Sequence, residues 1–271
     1  MNQIKLSAIH IYPVKSLSGL DLTQAKLDGF GLVDDRRWMV VDPEGHFLSQ
    51  RSLPRMALIQ VSVDDFGISL SAPEISPLRV SRPNPRDPRV EVEVWRDRCE
   101  ATPVGQDADA WLSQFLGVEC QLVHMADDVR RQVDQRYANP QHHTSFADGF
   151  PLLLISEASL DDLNSRLSEP VTMKRFRPNL VVSGCSPYAE DQWSMIKIGS
   201  MVLQLVKPCS RCAITTVDPL TGTKGREPLV TFARYRRRGN QVYFGQNLLH
   251  DQPGELRVGM PVEIVESRDE Q

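Results

Sequence analysis

The sequence predicts a β-rich α+β fold in two lobes, on three observations. Short alternating apolar runs broken by proline, glycine and aspartate recur from Leu6 to Val265. Helical spacing of apolar residues is confined to two stretches, 107–116 and 157–167. Between the two sets of strands lies a charge-dense stretch poor in apolar residues. It predicts a linker or lid over residues 126–143, after an N-terminal lobe over 1–125 and before a C-terminal lobe over 144–266.

The 271 residues carry 41% hydrophobic and 24% charged residues and a formal net charge of -4. This is ordinary for a globular chain and long enough to bury a core. A net negative charge argues against general nucleic-acid binding, which needs a basic footprint. Any anion site must therefore be local. The N-terminus lacks the long apolar core of a signal peptide or anchor, and no stretch approaches the roughly 20 apolar residues needed to span a bilayer. Five cysteines without regular spacing do not describe a disulfide framework. The expectation is a cytoplasmic protein with no membrane association.

In chain order, Leu6, Ala8, Ile9 and Ile11 form a strand that Pro13 ends, presenting Lys15 and Ser16 on a loop. A lysine beside a hydroxyl can grip a phosphate or a polar heterocycle. Residues 38–41 read as a strand, 42–45 as its turn, and Phe47 and Leu48 as the return strand. Arg36 stands at that strand's entrance, and Arg37 reads as a bystander. Strands follow at 58–63, 68–70 and 90–95, separated by a proline-rich loop at 83–88. Asp107 is a candidate cap for a helix through Leu116 that packs Trp111, Leu112 and Phe115 on one face.

The adjacent His142 and His143 invite a metal reading, but neighbouring side chains diverge and no carboxylate or thiol stands at a ligand spacing. In the second half, residues 151–155 form a buried strand. Ser156 caps a helix through about Leu167 whose face is Leu160, Leu163 and Leu167. Arg177 and Asn179 share a loop before the strand at 180–183. Four arginines, at 234, 236, 237 and 238, make a basic cluster suited to solvent or to an acidic electron-transfer partner. Strands at 243–247, 256–258 and 262–265 complete a barrel-like sheet.

Residues 207–222 read K-P-C-S-R-C-A-I-T-T-V-D-P-L-T-G. Cys209 and Cys212 follow the alternating run 201–206. Pro208 disfavours further pairing, and 213–217 again reads as a strand, so the thiols belong on a loop. Three chemistries are open to them. A structural zinc site needs four ligands, and no second C-x-x-C exists. A thioredoxin-like redox pair needs a helix N-terminus, which β-branched residues 215–217 disfavour. Alternatively, one thiolate holds a soft metal carried by an organic cofactor while neighbouring basic residues hold its anionic part.

The string 207–222, with F-R-P-N-L-V-V-S-G at 176–184, Y-P-V-K-S at 12–16 and F-G-Q-N at 244–247, resembles the MOSC family. The likeness runs from Ile9 to about Val265 and is strongest to the branch of the mitochondrial amidoxime-reducing component and bacterial reductases of N-hydroxylated compounds. It implies a β-barrel-like MOSC lobe after a smaller MOSC-associated N-terminal lobe, with a molybdenum cofactor in the cleft between them. It also implies a molybdenum-dependent oxidoreductase that reduces N-hydroxylated bases, amidoximes and hydroxylamines, a detoxifying activity. The resemblance gives Cys212 as the metal ligand and catalytic residue. Lys15, Ser16, Arg36, Arg177, Asn179, Ser210, Arg211 and Asn247 would contact the pterin and its phosphate. Some bacterial relatives append a cluster-bearing segment, and this sequence has no cysteine after Cys212. The expectation is thus no iron-sulfur cluster in this chain and electrons from a separate iron-sulfur or haem protein. A cofactor carrier or sulfur-delivery module without reductase activity is the alternative.

Overall fold

A computed structural model describes residues 3–268. Its largest sheet has nine strands, in the order β19 (Val262–Ser267), β14 (Trp193–Ile198), β15 (Met201–Ser210), β17 (Gln241–His250), β12 (Leu152–Ser156), β13 (Leu180–Ser183), β1 (Lys5–Ile11) and β2 (Leu20–Leu22), with β16 (Arg237–Arg238) paired to β17. β12 and β13 run parallel and the other neighbours antiparallel. A bridge between Lys5 and Pro261 joins the start of β1 to the start of β19, so the sheet curls into a barrel that the N-terminal strand helps to close. Inward-facing Leu6, Ile9, Leu154, Leu180, Ile196, Leu203 and Leu248 fill it, as alternation along each strand requires.

The remaining strands make three smaller sheets. One is β5 (Trp38–Val41), β11 (Gln121–His124), β10 (Asp97–Pro103) and β9 (Val90–Val94); another is β6 (Gln60–Asp64), β7 (Gly67–Ala72) and β8 (Ile75–Ser81). The third pairs β3 (Gln24–Asp28) with β4 (Gly31–Leu32) and with β18 (Gly254–Arg257). The predicted strand at 256–258 therefore joins an N-terminal hairpin rather than the barrel. Helix α1 (Gln106–Leu116) packs Trp111, Leu112 and Phe115 into the N-terminal core, α2 (Glu157–Asn164) follows β12, and α3 (Leu229–Tyr235) packs Phe232 against Phe176 and Phe244. The β-rich α+β class stands.

Several local expectations are corrected. Ala213–Thr216 is a 3-10 turn and not a strand. The hydroxyls of Thr215 and Thr216 donate to the carbonyls of Cys212 and Ala213, three residues back, offering the backbone a local alternative to a ladder. Pro208 does not end β15, which reaches Ser210 with irregular register on both sides of the proline, where a missing N–H is tolerated. Gly105, and not Asp107, caps α1; Asp109 instead accepts from the Leu122 amide at 2.8 Å. Helix α2 stops at Asn164 because that side chain bonds both backbone groups of Val171. Phe47 makes a single bridge to Val41 in place of a return strand. Arg131, 3% exposed, ties the 126–143 segment to Asp97 and to the carbonyls of Ser145 and Ala147.

Candidate functional site

The exit of β1 and the entrance of β5 are bound together. Lys15 N donates to Trp38 O at 2.8 Å, Trp38 N to Pro13 O at 3.0 Å, and Arg36 N to Tyr12 O at 2.9 Å. This places Lys15, Ser16 and Arg36 beside one another. On the barrel side, Asn179 N donates to Leu153 O and His10 N to Asn179 O, which brings the 176–179 loop against the end of β1. The end of β15 supplies Cys209 to Cys212, and β17 supplies Asn247.

All nine residues expected at the site line one cleft: Lys15, Ser16, Arg36, Arg177, Asn179, Ser210, Arg211, Cys212 and Asn247. It opens to solvent, with about 730 Å³ of space counted together with its open mouth. Ser16, Arg36 and Arg177 hold left-handed backbone angles, with φ of 67°, 50° and 55°. Such angles are unfavourable for residues other than glycine, and strain of this kind gathers at functional sites.

The electrostatics are lopsided. Arg36 pairs with buried Asp35, donates to Asn179 Oδ1 at 3.0 Å and to Arg177 O at 3.1 Å, and lies over the Tyr12 ring. Arg177 lies over the same ring and donates to Leu17 O, and burial together with neighbouring Arg36 pushes it down to about 10. Neither Arg177 nor Arg211 has a carboxylate within 4.0 Å among the described residues. Arg211 donates to Phe176 O and leaves a buried Nε without a partner. Lys15 Nζ donates to Phe146 O at 2.8 Å and to Asp148 at 2.6 Å; burial, opposed by Asp148, pushes it down to about 8. Asn179 spends its amide on Arg36, Leu153 N and His10 O, so it acts chiefly by holding Arg36.

The two thiols differ. Cys209 packs against the Phe176, Phe232 and Phe244 cluster and receives Arg211 Nη1 at 3.0 Å. Cys212 begins the 3-10 turn, and its sulfur receives Arg51 Nε at 3.4 Å. Both are free, as are Cys99, Cys120 and Cys185.

The MOSC N-terminal beta barrel domain matches residues 3–119, and the MOSC domain matches residues 141–263. Mitochondrial amidoxime-reducing component 1 of Mus musculus is 36% identical over 278 residues, covering 96% of this chain and 82% of that protein. The Homo sapiens protein of the same name matches with the same identity and coverage. The chain belongs to the MOSC family. The molybdenum cofactor sulfurase of Oryza sativa is also similar, 32% identical over 90% of this chain, though the match spans 32% of that protein.

Two residues of this MOSC chain that reach the site were not expected there. Asp148 lines the cleft, meets Lys15 and accepts from Trp95 Nε1 at 3.2 Å; desolvation within the cleft opposes its ionised form even though its side chain is 61% exposed, and Lys15 and Arg51 hold it well below the usual carboxylate range. Arg51 lies over Trp95 at 4.2 Å and reaches Cys212 from the N-terminal lobe. Arg37 stays outside the cleft, buried against Met125 O and Asp127. His142 and His143 line a separate cleft with His250 and Asp251.

Proposed function

We propose that the chain binds a molybdenum cofactor and reduces N-hydroxylated bases, amidoximes and hydroxylamines with electrons from a separate iron-sulfur or haem protein. The observation that carries this reading is the convergence of the Cys212 sulfur with Lys15, Arg36, Arg177 and Arg211 on one cleft. The names of the mouse and human relatives support it. The donor set suits the group: a soft sulfur for molybdenum, and, for a phosphate, Arg177 and Arg211 without carboxylate partners beside Arg36 and Lys15, which are paired with Asp35 and Asp148. The unpartnered Nε of Arg211 is a further donor waiting for an acceptor.

When bound, the cofactor supplies the two electrons that, with two protons, turn an N-hydroxylamine into an amine and water. Cys212 would hold the metal, and Arg51 fixes that sulfur through its Nε. Arg177 and Arg211 would neutralise the phosphate, and Lys15 Nζ would have one N–H beyond its two bonds to offer it. Ser210 and Asn247 face the same space and suit the polar edge of a pterin. No helix among the described residues is long and apolar enough to cross a membrane, and the free thiols at the cleft fit a reducing cytoplasm.

The rice sulfurase match favours a second reading, a cofactor carrier or sulfur-delivery module. Protein purified from a host that makes the cofactor decides between them. Metal and pterin analysis should find molybdenum bound through pterin, and benzamidoxime should be reduced with a chemical reductant or an added donor protein but not with a nicotinamide alone. Bound cofactor with no reduction under any reductant moves the assignment to the carrier. Absence of both molybdenum and pterin removes both readings.

A further inference from the structure

We infer that the basic hairpin formed by the end of α3, β16 and the start of β17 is the docking surface for the electron donor, an acidic electron-carrier protein; this rests on the reductase reading above. Residues 224–241 carry Lys224 and arginines 226, 234, 236, 237 and 238 against the single acid Glu227 in a chain of net -4; Arg236 is paired with Asp191 and Lys224 donates to Arg51 O, which leaves Arg234, Arg237 and Arg238 as the cations of the hairpin itself. Arg234, Arg237 and Arg238 are exposed. None of the three has a carboxylate within 4.0 Å among the described residues, and unlike the other exposed arginines without one, Arg55, Arg86, Arg96, Arg130 and Arg226, they stand within five positions of one another on a single hairpin. Neighbouring like charges left unneutralised repel one another and concentrate a field that an acidic surface relieves.

Position singles out an electron carrier among acidic partners. Arg211 N donates to Val242 O at 2.9 Å, and Ser210 faces Tyr243 across the ladder. Arg236 is tied to the same strand, its Nε to Tyr243 O at 3.0 Å and its carbonyl to Tyr243 N at 3.1 Å. β17 thus lies one strand, about 4.8 Å, from the backbone that carries Cys209 to Cys212, and β16, with Arg237 and Arg238, lies two strands away. A carrier seated there reaches the ligand loop through a hydrogen-bonded ladder. Nucleic acid and anionic membranes are disfavoured by the net negative charge of the rest of the chain.

The test uses holoprotein, an acidic plant-type [2Fe–2S] ferredoxin as probe and reduced methyl viologen as a small reductant. Wild-type protein should bind oxidised ferredoxin at low salt and lose that binding as salt rises. The triple variant Arg234→Glu, Arg237→Glu, Arg238→Glu should lose at least tenfold in ferredoxin affinity and ferredoxin-driven turnover, with viologen-driven turnover within twofold of wild type. Ferredoxin binding unchanged by the triple variant, no ferredoxin binding by wild type at low salt, or a stronger preference of the patch for duplex DNA or phosphatidylglycerol vesicles would each overturn the proposal. Failure of viologen-driven turnover in wild type strikes the reductase reading instead, and the binding measurement then still decides the docking surface.

Discussion

The guanidinium carbons of Arg36 and Arg177 lie 4.6 and 4.1 Å from the centre of one ring, that of Tyr12. Asp35 is the only acid within salt-bridge distance of the pair among the described residues, and it takes Arg36; its other oxygen accepts the Tyr12 amide at 2.8 Å. Tyr12 is itself anchored through its hydroxyl to Pro178 O at 3.1 Å. Two nearby cations in a buried setting with one counter-charge are costly, and an anion in the cleft offsets that cost.

Arg177→Ala should therefore lower bound pterin about tenfold or more while leaving the fold intact, since a charge-assisted contact is worth about 1.5–3 kcal/mol. Pterin content after purification, with circular dichroism as the fold control, measures this. Unchanged pterin would mean that the phosphate is held elsewhere.

The thiols should separate cleanly. Cys212→Ser replaces a soft sulfur with a hard oxygen, so molybdenum content and activity should both vanish. Cys209→Ser should retain most of both, because Cys209 packs against the Phe176 cluster. A zinc pair or a redox disulfide needs both sulfurs and would make the two variants equally damaging. Equal loss, or full activity in Cys212→Ser, removes Cys212 as the ligand.

What the sequence made legible was the motif residues. Lys15, Arg36, Arg177 and Cys212 each sit on or beside a turn signal or strand end, and strand ends are where side chains can converge. What stayed hidden depends on tertiary contact. Arg51 and Asp148 carry no local signature; one reaches Cys212 across 161 positions and the other Lys15 across 133. The 3-10 turn at 213–216 was concealed by threonines, whose strand preference yields when their hydroxyls find carbonyls three residues back. In β8 Pro77 breaks the run, and in β10 the alternation of buried Cys99 and Ala101 with exposed Arg98 and Glu100 rests on small residues that carry little apolar signal.

Arg51 supplies the third prediction. Its Nε meets the Cys212 sulfur while its guanidinium lies over Trp95, which donates to the cleft-lining Asp148, so it joins the thiol to the Asp148 edge of the cleft. Arg51→Ala should lower molybdenum retention several-fold and raise the KM for a planar amidoxime. Arg51→Lys, which keeps the charge but not the planar stacking, should restore retention more than KM. Identical metal retention in wild type and Arg51→Ala would reduce Arg51 to a surface contact.

The last prediction concerns stability and pH. His124 is 8% exposed, packs edge-on against Trp38 with ring centres 4.5 Å apart, and leaves Nε2 without a hydrogen-bond partner. Burial, reinforced by Arg37 and Arg82, pushes its imidazole down to about 3 from 6.5. The unfolded chain takes up a proton there below pH 6.5 that the folded chain refuses until about pH 3. Stability from this group is therefore present above pH 6.5 and lost as pH falls toward 3. At pH 5 the loss is about 2 kcal/mol, from 1.36 kcal/mol per unit over the interval below 6.5. His124→Phe keeps an aromatic ring against Trp38 and removes the titration, so the wild type should lose that much more stability than the variant between pH 7 and pH 5. Urea unfolding at both pH values measures the difference, and parallel losses in the two proteins would show that His124 protonates as readily in the folded chain as in the unfolded one.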